Sequence, residues 1–254
     1  MTPSALLPSP VALIVGASSG IGEALARRLA REGYRVAVLG RRAENLQAIC
    51  ASLNAETGRQ CAFPYSHDVT HYDSVPPAFQ TVLRDLGRLD VVVYASGVQP
   101  AVEVNEYNFE KDRAPIETNV LGALAWLDQA ALYFERQGSG HIVGISSVAG
   151  ERGRVGYPAY QASKAAFSSF LESLRNRLTR HGVHVLTVKP GMVETEMLRN
   201  IKRRMWVISP DQAAADIYRA IKSRKQVIFT PARWALVMLV IRNIPSFIFR
   251  RMAF

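Results

Sequence analysis

The amino-acid sequence predicts a doubly wound α/β domain on a parallel seven-stranded sheet, and three observations carry the expectation. Short apolar runs of strand length alternate with longer stretches of helical period. A glycine-rich turn joins the first run to the first helix. Small and polar residues suited to chemistry recur just past the apolar runs, at the strand C-termini where such sheets bind ligands. At 254 residues the chain is long enough to bury roughly three quarters of its unfolded surface around one core. With 48% hydrophobic and 20% charged residues, it has the composition of a globular protein, not a disordered one.

Residues 1–10 hold three prolines and no basic residue, which is unlike a secretory signal, and read as a flexible N-terminal arm. The run 11–15 ends in Gly16-Ala17-Ser18-Ser19-Gly20-Ile21-Gly22, and a helical stripe through Leu25 and Leu29 covers 23–32. Strand, glycine turn and helix in that order are the context of a dinucleotide-binding loop. Glycines let the backbone turn and approach a pyrophosphate, while the helix start offers unpaired N–H groups and a positive dipole end. Gly16, Ser18, Ser19, Gly20, Ile21 and Gly22 are therefore candidate phosphate-binding residues, with a tight βα turn as the plainer alternative. The second strand, 35–39, ends at Gly40-Arg41-Arg42. An acidic residue there would suit a ribose 2′-hydroxyl, whereas a guanidinium suits a 2′-phosphate, so Arg41 and Arg42 favour NADPH over NADH.

A helix at 44–53 and a strand at 60–65 lead to Asp68, which suits a helix cap or an acceptor for an adenine amino group equally well. A helix at 72–86 and a strand at 90–94 follow. The small residues Ala95, Ser96 and Gly97 then allow a cofactor to lie against backbone. Residues 106–137 read as one helical stretch with Asn119 inside it, where an asparagine is mildly unfavourable. The strand 141–145 runs into Ser146 and Ser147, and Pro158 opens a long helix to about residue 180. On that helix Tyr160 and Lys164 sit one turn apart on one face. An adjacent ammonium favours phenolate and lowers a tyrosine pKa from about 10 towards neutrality. The spacing alone is common on solvated helices. Strands at 183–188 and 226–229, with a helix at 210–223 between them, complete the sheet.

With these elements in place, the chain over about 11–230 resembles the short-chain dehydrogenase/reductase family. The resemblance is carried by Gly16-x-x-x-Gly20-x-Gly22, Asp68-Val69, Asn119, Ser147, Tyr160-x-x-x-Lys164 and Pro190-Gly191-x-Val193-x-Thr195. It implies a Rossmann-type fold, bound NADP(H), reduction of a ketone and a homo-oligomer. It also implies roles: Tyr160 as general acid, Ser147 as the donor to the carbonyl oxygen, Lys164 on the nicotinamide ribose, and Asn119 as a relay through water. Val69, Pro190, Gly191, Val193 and Thr195 are cofactor contacts by the same resemblance. The family's Asn-Asn-Ala-Gly is replaced here by Tyr94-Ala95-Ser96-Gly97, which puts local hydrogen bonds there in doubt.

Cys50 and Cys61 read as buried small hydrophobes, and no metal-ligand spacing is present. Of 31 Lys+Arg and 21 Asp+Glu, twelve and two respectively fall in 197–254, so the first 196 residues are balanced at 19 each. The excess charge therefore belongs to the end of the chain, where the tail 231–254 combines an apolar run, Pro245 and arginines. The eight-residue run 234–241 makes a helix of about 12 Å, too short to cross a bilayer. A buried tail or subunit contact, an interfacial anchor on anionic lipid, and a lid over a long apolar substrate all fit it. Its aromatics lie in apolar runs, which argues against nucleic acid. Through Pro231-Ala-Arg-Trp234 and Ile244-Pro245 the tail is also similar to the reductases of decaprenylphosphoryl-2-keto-pentose, which implies a lipid-linked ketone met at the inner face of a membrane by a cytoplasmic enzyme. A non-catalytic dinucleotide sensor is the competing class, and it has no need of Asn119, Ser147, Tyr160 and Lys164 together.

Overall fold

The computed structural model describes residues 9–199 and 204–252. All but Ser9 and Pro10 of the expected N-terminal arm lies outside the described residues. Seven strands form one parallel sheet in the order β3-β2-β1-β4-β5-β6-β7. They are β1 (Val11–Val15), β2 (Arg35–Gly40), β3 (Ala62–Ser66), β4 (Val91–Tyr94), β5 (Gly140–Ile145), β6 (Val183–Pro190) and β7 (Val227–Thr230). Every residue of β1 and β4 is buried, which requires helices on both faces.

Helices α1 (Gly20–Arg31), α2 (Ala43–Thr57) and α7 (Pro210–Lys222) build the core on one face through Leu25, Leu29, Leu46 and Ile217. On the other face α3 (Val75–Leu86), α5 (Gly122–Gln137) and α6 (Pro158–Leu178) supply Phe79, Trp126, Phe134 and Phe167. Cys50 and Cys61 are free and buried, and burial pushes the Cys50 thiol up to about 12. Strand order reverses between β1 and β4, so a crevice opens at their C-terminal ends.

Two differences from the sequence expectations have local causes. Helix α1 starts at Gly20, not at residue 23, because Gly20-Ile21-Gly22 forms its first turn without an amphipathic pattern. The stretch 106–137 is not one helix. It comprises α4 (Phe109–Ile116), a π-helical turn (Glu117–Leu121) and α5. Pro115, inside α4, removes an N–H donor from the ladder, which re-forms through the wider turn. That turn holds Asn119 fully buried. The tail is helical where expected, as α8 (Trp234–Asn243) and α9 (Ser246–Phe249), broken where Ile244 turns extended before Pro245. Among the described residues no helix is long and apolar enough to cross a membrane.

Candidate active site

The crevice opens into a cavity of about 710 Å³ lined by nearly all the residues singled out from the sequence. These are Gly16, Ser18, Ser19, Gly20, Ile21, Gly22, Arg41, Arg42, Asp68, Val69, Ala95, Ser96, Gly97, Ser147, Tyr160, Lys164, Pro190, Gly191, Val193 and Thr195. Asn119 lies behind the wall.

At one end the glycine loop fits a bound phosphate. Gly16 has φ +91°, and a Cβ there would fall 2.3 Å from the Ser96 nitrogen. A Cβ at Gly22 would lie 2.1 Å from the Gly16 carbonyl oxygen, so the loop closes onto its own helix only with glycine. Ser19, the N-cap of α1, makes no side-chain cap, which leaves the helix start with its donors and dipole for an anion. Beside it, the Arg42 guanidinium donates to Ser18 Oγ at 3.3 Å, and Arg41 approaches Asp68 at 3.7 Å. Asp68 is not a helix cap. Its other oxygen accepts from the Thr70 amide at 3.0 Å and hydroxyl at 2.8 Å, fixing the loop after β3. The donor set therefore suits a dinucleotide with an added phosphate near Arg41 and Arg42.

At the other end Ser147, Tyr160 and Lys164 converge. Ser147 leaves β5 and accepts from the Ala149 amide at 3.0 Å, while its hydroxyl also hydrogen-bonds Tyr160. The Lys164 ammonium is buried and donates to the Ile145 carbonyl at 2.9 Å. Burial raises the Tyr160 pKa, against the opposing effects of the Ser147 hydrogen bond and the Arg154 charge. The expectation that Lys164 pulls the phenol down is thus not met in this arrangement. Lys164 Nζ lies 5.9 Å from the Tyr160 ring centre and is turned to a carbonyl, and burial dominates.

Asn119 accepts from the Val98 amide at 2.8 Å and donates to the Val98 carbonyl at 3.1 Å and to Ser163 Oγ at 2.9 Å. Ser163 in turn donates to the Tyr160 carbonyl at 2.7 Å. The mid-helix asparagine is therefore a buried link between the loop after β4 and α6. In place of the family asparagines, Tyr94 is buried and its hydroxyl donates to the Thr118 carbonyl at 2.5 Å.

The tail reaches the cavity lining through Trp234. Trp234 packs so closely on Gly191 that a Cβ there would fall 1.9 Å from the indole nitrogen. Trp234 and Met238 bury against Val148. Arg152 donates to the carbonyls of Ile241 at 2.7 Å and Ile244 at 2.6 Å, capping the end of α8. Glu151 bridges Lys189 at 2.5 Å and Arg242 at 3.3 Å. Sequence reasoning missed Ser163, Arg152 and Arg154. Ser163 has an ordinary helical spacing, and the Arg152 contact spans some ninety positions.

A doubly wound sheet whose crevice joins a phosphate-accepting loop to a Ser-Tyr-Lys cluster defines a dinucleotide-dependent oxidoreductase. The sequence matches the short chain dehydrogenase family over residues 10–206, and the chain belongs to that family, whose members use NAD(P)(H). It is 41% identical to an uncharacterized oxidoreductase of Myxococcus xanthus over 186 residues, 73% of each protein. An uncharacterized oxidoreductase of Mycobacterium tuberculosis is 31% identical over 245 residues, 95% of this chain and 96% of the other. Among solved structures, a short-chain dehydrogenase from Sphingobium yanoikuyae in complex with NADPH superposes with a TM-score of 0.80 at 26% identity, covering 93% of this chain and 97% of that one. A variant of actinorhodin polyketide ketoreductase with NADPH gives 0.76 at 30% identity, covering 84% and 90%.

Burial pushes the Lys164 ammonium from 10.5 down to about 8. The unfolded chain then binds more protons between these values, so the charge weighs against folding below pH 8 and the penalty lifts as pH rises towards 10.5. Without cofactor, Lys164→Met should reduce the stability gained between pH 7 and 10 by on the order of 2–3 kcal/mol. Chemical denaturation at both pH values measures it, and equal gains in the two proteins would show that the ammonium is not depressed.

Proposed function

We propose that the protein is an NADPH-dependent carbonyl reductase that converts a ketone, apolar or lipid-linked, to a secondary alcohol. The observation that carries this is the convergence of Ser147, Tyr160 and Lys164 at one end of a cavity whose other end presents the α1 N-terminus with Arg41 and Arg42. Tyr160 donates the proton to the carbonyl oxygen, and its raised pKa keeps the phenol protonated through neutrality. Ser147 donates a hydrogen bond to the same oxygen as negative charge develops there. Lys164 holds the nicotinamide ribose hydroxyls, and Asn119 continues the proton path through water. Gly16, Ser18, Ser19, Gly20, Ile21 and Gly22 bind the pyrophosphate, and Arg41 and Arg42 bind the 2′-phosphate. Asp68 and Val69 flank the adenine. Ala95, Ser96 and Gly97 give the cofactor close backbone approach, and Pro190, Gly191, Val193 and Thr195 border the nicotinamide. When bound, the cofactor supplies the hydride. Solved structures of similar chains with NADPH support the cofactor assignment.

The lipid-linked part of the reading rests on the tail. While Trp234 and Met238 are buried against Val148, Leu236, Leu239, Val240, Phe247 and Ile248 are exposed, as are Arg250 and Arg251. That combination of apolar face and cations suits an anionic lipid surface at the inner face of a membrane. A polyprenyl-linked keto-sugar, as the resemblance of the tail implies, or a keto-lipid would then reach the cavity from the tail side. Exposed Ile116, Leu121 and Leu132 support assembly into a homo-oligomer.

Tyr160→Phe should lower the rate of ketone reduction by about 10²–10⁴-fold while NADPH still binds, and undiminished turnover would reject the role of the phenol. Arg41→Asp should move the NADPH-to-NADH ratio of kcat/KM towards NADH by about tenfold or more, and an unchanged ratio would remove the phosphate from Arg41. In flotation assays, vesicles containing phosphatidylglycerol should carry the protein and phosphatidylcholine vesicles should not. Replacing the exposed Val240 and Phe247 together by glutamate should abolish the effect, and binding that persists would place the contact elsewhere.

A further inference from the structure

We infer that Arg154 forms an oxyanion-binding subsite at the substrate end of the cavity, so that the ketone carries a carboxylate or a phosphate group near its carbonyl. This rests on the carbonyl-reductase reading and narrows its substrate class.

Arg154 lines the cavity together with Ser147 and Tyr160 and is half-buried. Its guanidinium has no hydrogen-bond or ion-pair partner among the described residues. The acids nearby are engaged: Glu151 bridges Lys189 and Arg242, Asp68 is bonded to Thr70 and faces Arg41, and Glu196 pairs with Arg199 at 4.0 Å. Burial lowers the Arg154 pKa, which is the mark of a desolvated cation without a compensating carboxylate. An arginine so placed is costly unless an anion completes it.

Its backbone is fixed. The Arg154 amide donates to Gln161 Oε1 at 2.5 Å, and Gln161, 5% exposed, also donates to the Gly156 carbonyl. The loop is thus clamped to α6 one residue past Tyr160. The guanidinium lies close enough for its charge to act on the phenol, which sets the anion a short distance from the reacting carbonyl. A planar fork of donors suits a carboxylate or a phosphate equally. The 2′-phosphate and pyrophosphate of the dinucleotide have their own donors at the opposite end, so this site is left for substrate.

The test compares ethyl acetoacetate, acetoacetate and dihydroxyacetone phosphate as neutral, carboxylate and phosphate ketones, using the full chain with NADPH. The expected kcat/KM for at least one anionic ketone exceeds that for the ester by about tenfold or more, and Arg154→Gln removes that preference through KM while Arg154→Lys keeps part of it. The anion favoured separates carboxylate from phosphate. Calorimetric binding of the same three compounds to the protein saturated with NADP+, which has no hydride to transfer, makes the comparison independent of turnover. Equal affinities for ester and anions, or an Arg154→Gln loss that is the same for all three, would overturn the subsite. Turnover of the ester without anion preference rejects Arg154 and keeps the reductase. Selective anion binding with no turnover of any ketone rejects the reductase reading instead.

Discussion

The geometry of the site depends on one buried contact, the hydrogen bond from the Lys164 ammonium to the Ile145 carbonyl at 2.9 Å. It ties the second turn of α6 to the end of β5. A buried ammonium is tolerated only where oriented dipoles receive it, so the contact fixes how closely helix and strand approach. The neighbouring residues fit that closeness. Ser146 donates to the Lys164 carbonyl at 3.0 Å and meets Ser168 Oγ at 2.7 Å. A Cβ at Gly150 would lie 2.6 Å from the Lys164 carbonyl carbon, and one at Gly97 would lie 3.4 Å from Nζ. With helix and strand at this distance, the hydroxyls of Ser147 and Tyr160 meet at the cavity wall. The Asn119–Ser163 link anchors the same helix from the side of β4.

The loop that carries Ser147 also holds the tail. Arg152 places one guanidinium on the carbonyls that end α8 and stacks on the Phe249 ring at 3.9 Å. Its positive charge also complements the negative end of the helix dipole. Glu151, its side chain 4% exposed, adds two cations from β6 and α8. Helix α8 is therefore anchored electrostatically on one side and by Trp234 and Met238 on another, and its remaining apolar face is exposed. A helix that is apolar nearly all round, but buried on only part of its surface, has a face that its own domain does not cover.

Much of the fold was legible because its signals are local. Apolar runs gave all seven strands to within two residues at either end, most plainly in β1 and β4, where strands buried on both faces admit little else, and less plainly in the partly exposed edge strands β3 and β7. The glycine loop and the Tyr160–Lys164 pair were readable from spacing, and the cavity brings them together. Other features were not legible, for physical reasons. The π turn depends on how the ladder recovers after Pro115, which periodicity does not report. The sign of the Tyr160 shift depends on burial and on where the Lys164 ammonium points, neither of which a four-residue spacing encodes. The fit of Trp234 on Gly191 pairs positions more than forty apart, and a tail tryptophan looks the same in sequence whether it walls a cavity or faces lipid.

Two separate sets of cations follow from this layout. The excess charge of the chain belongs to its last 58 residues, yet the cations of the cavity, Arg41, Arg42, Arg154 and Lys164, all come from the balanced first 196. Part of the tail charge is spent within the fold, with Arg242 on Glu151 and Arg233 over the Trp206 ring at 4.7 Å. The two acids on its border face cations, Asp68 opposite Arg41 and Glu196 opposite Arg199, so the lining carries four cations against two paired acids. Arg41 and Arg42 stand at one end beside the glycine loop, and Arg154 and Lys164 stand at the other with Ser147 and Tyr160. None of the tail arginines, Arg233, Arg242, Arg250 and Arg251, lines the cavity, so the charge of the cavity and the charge of the tail are set by different stretches of the chain.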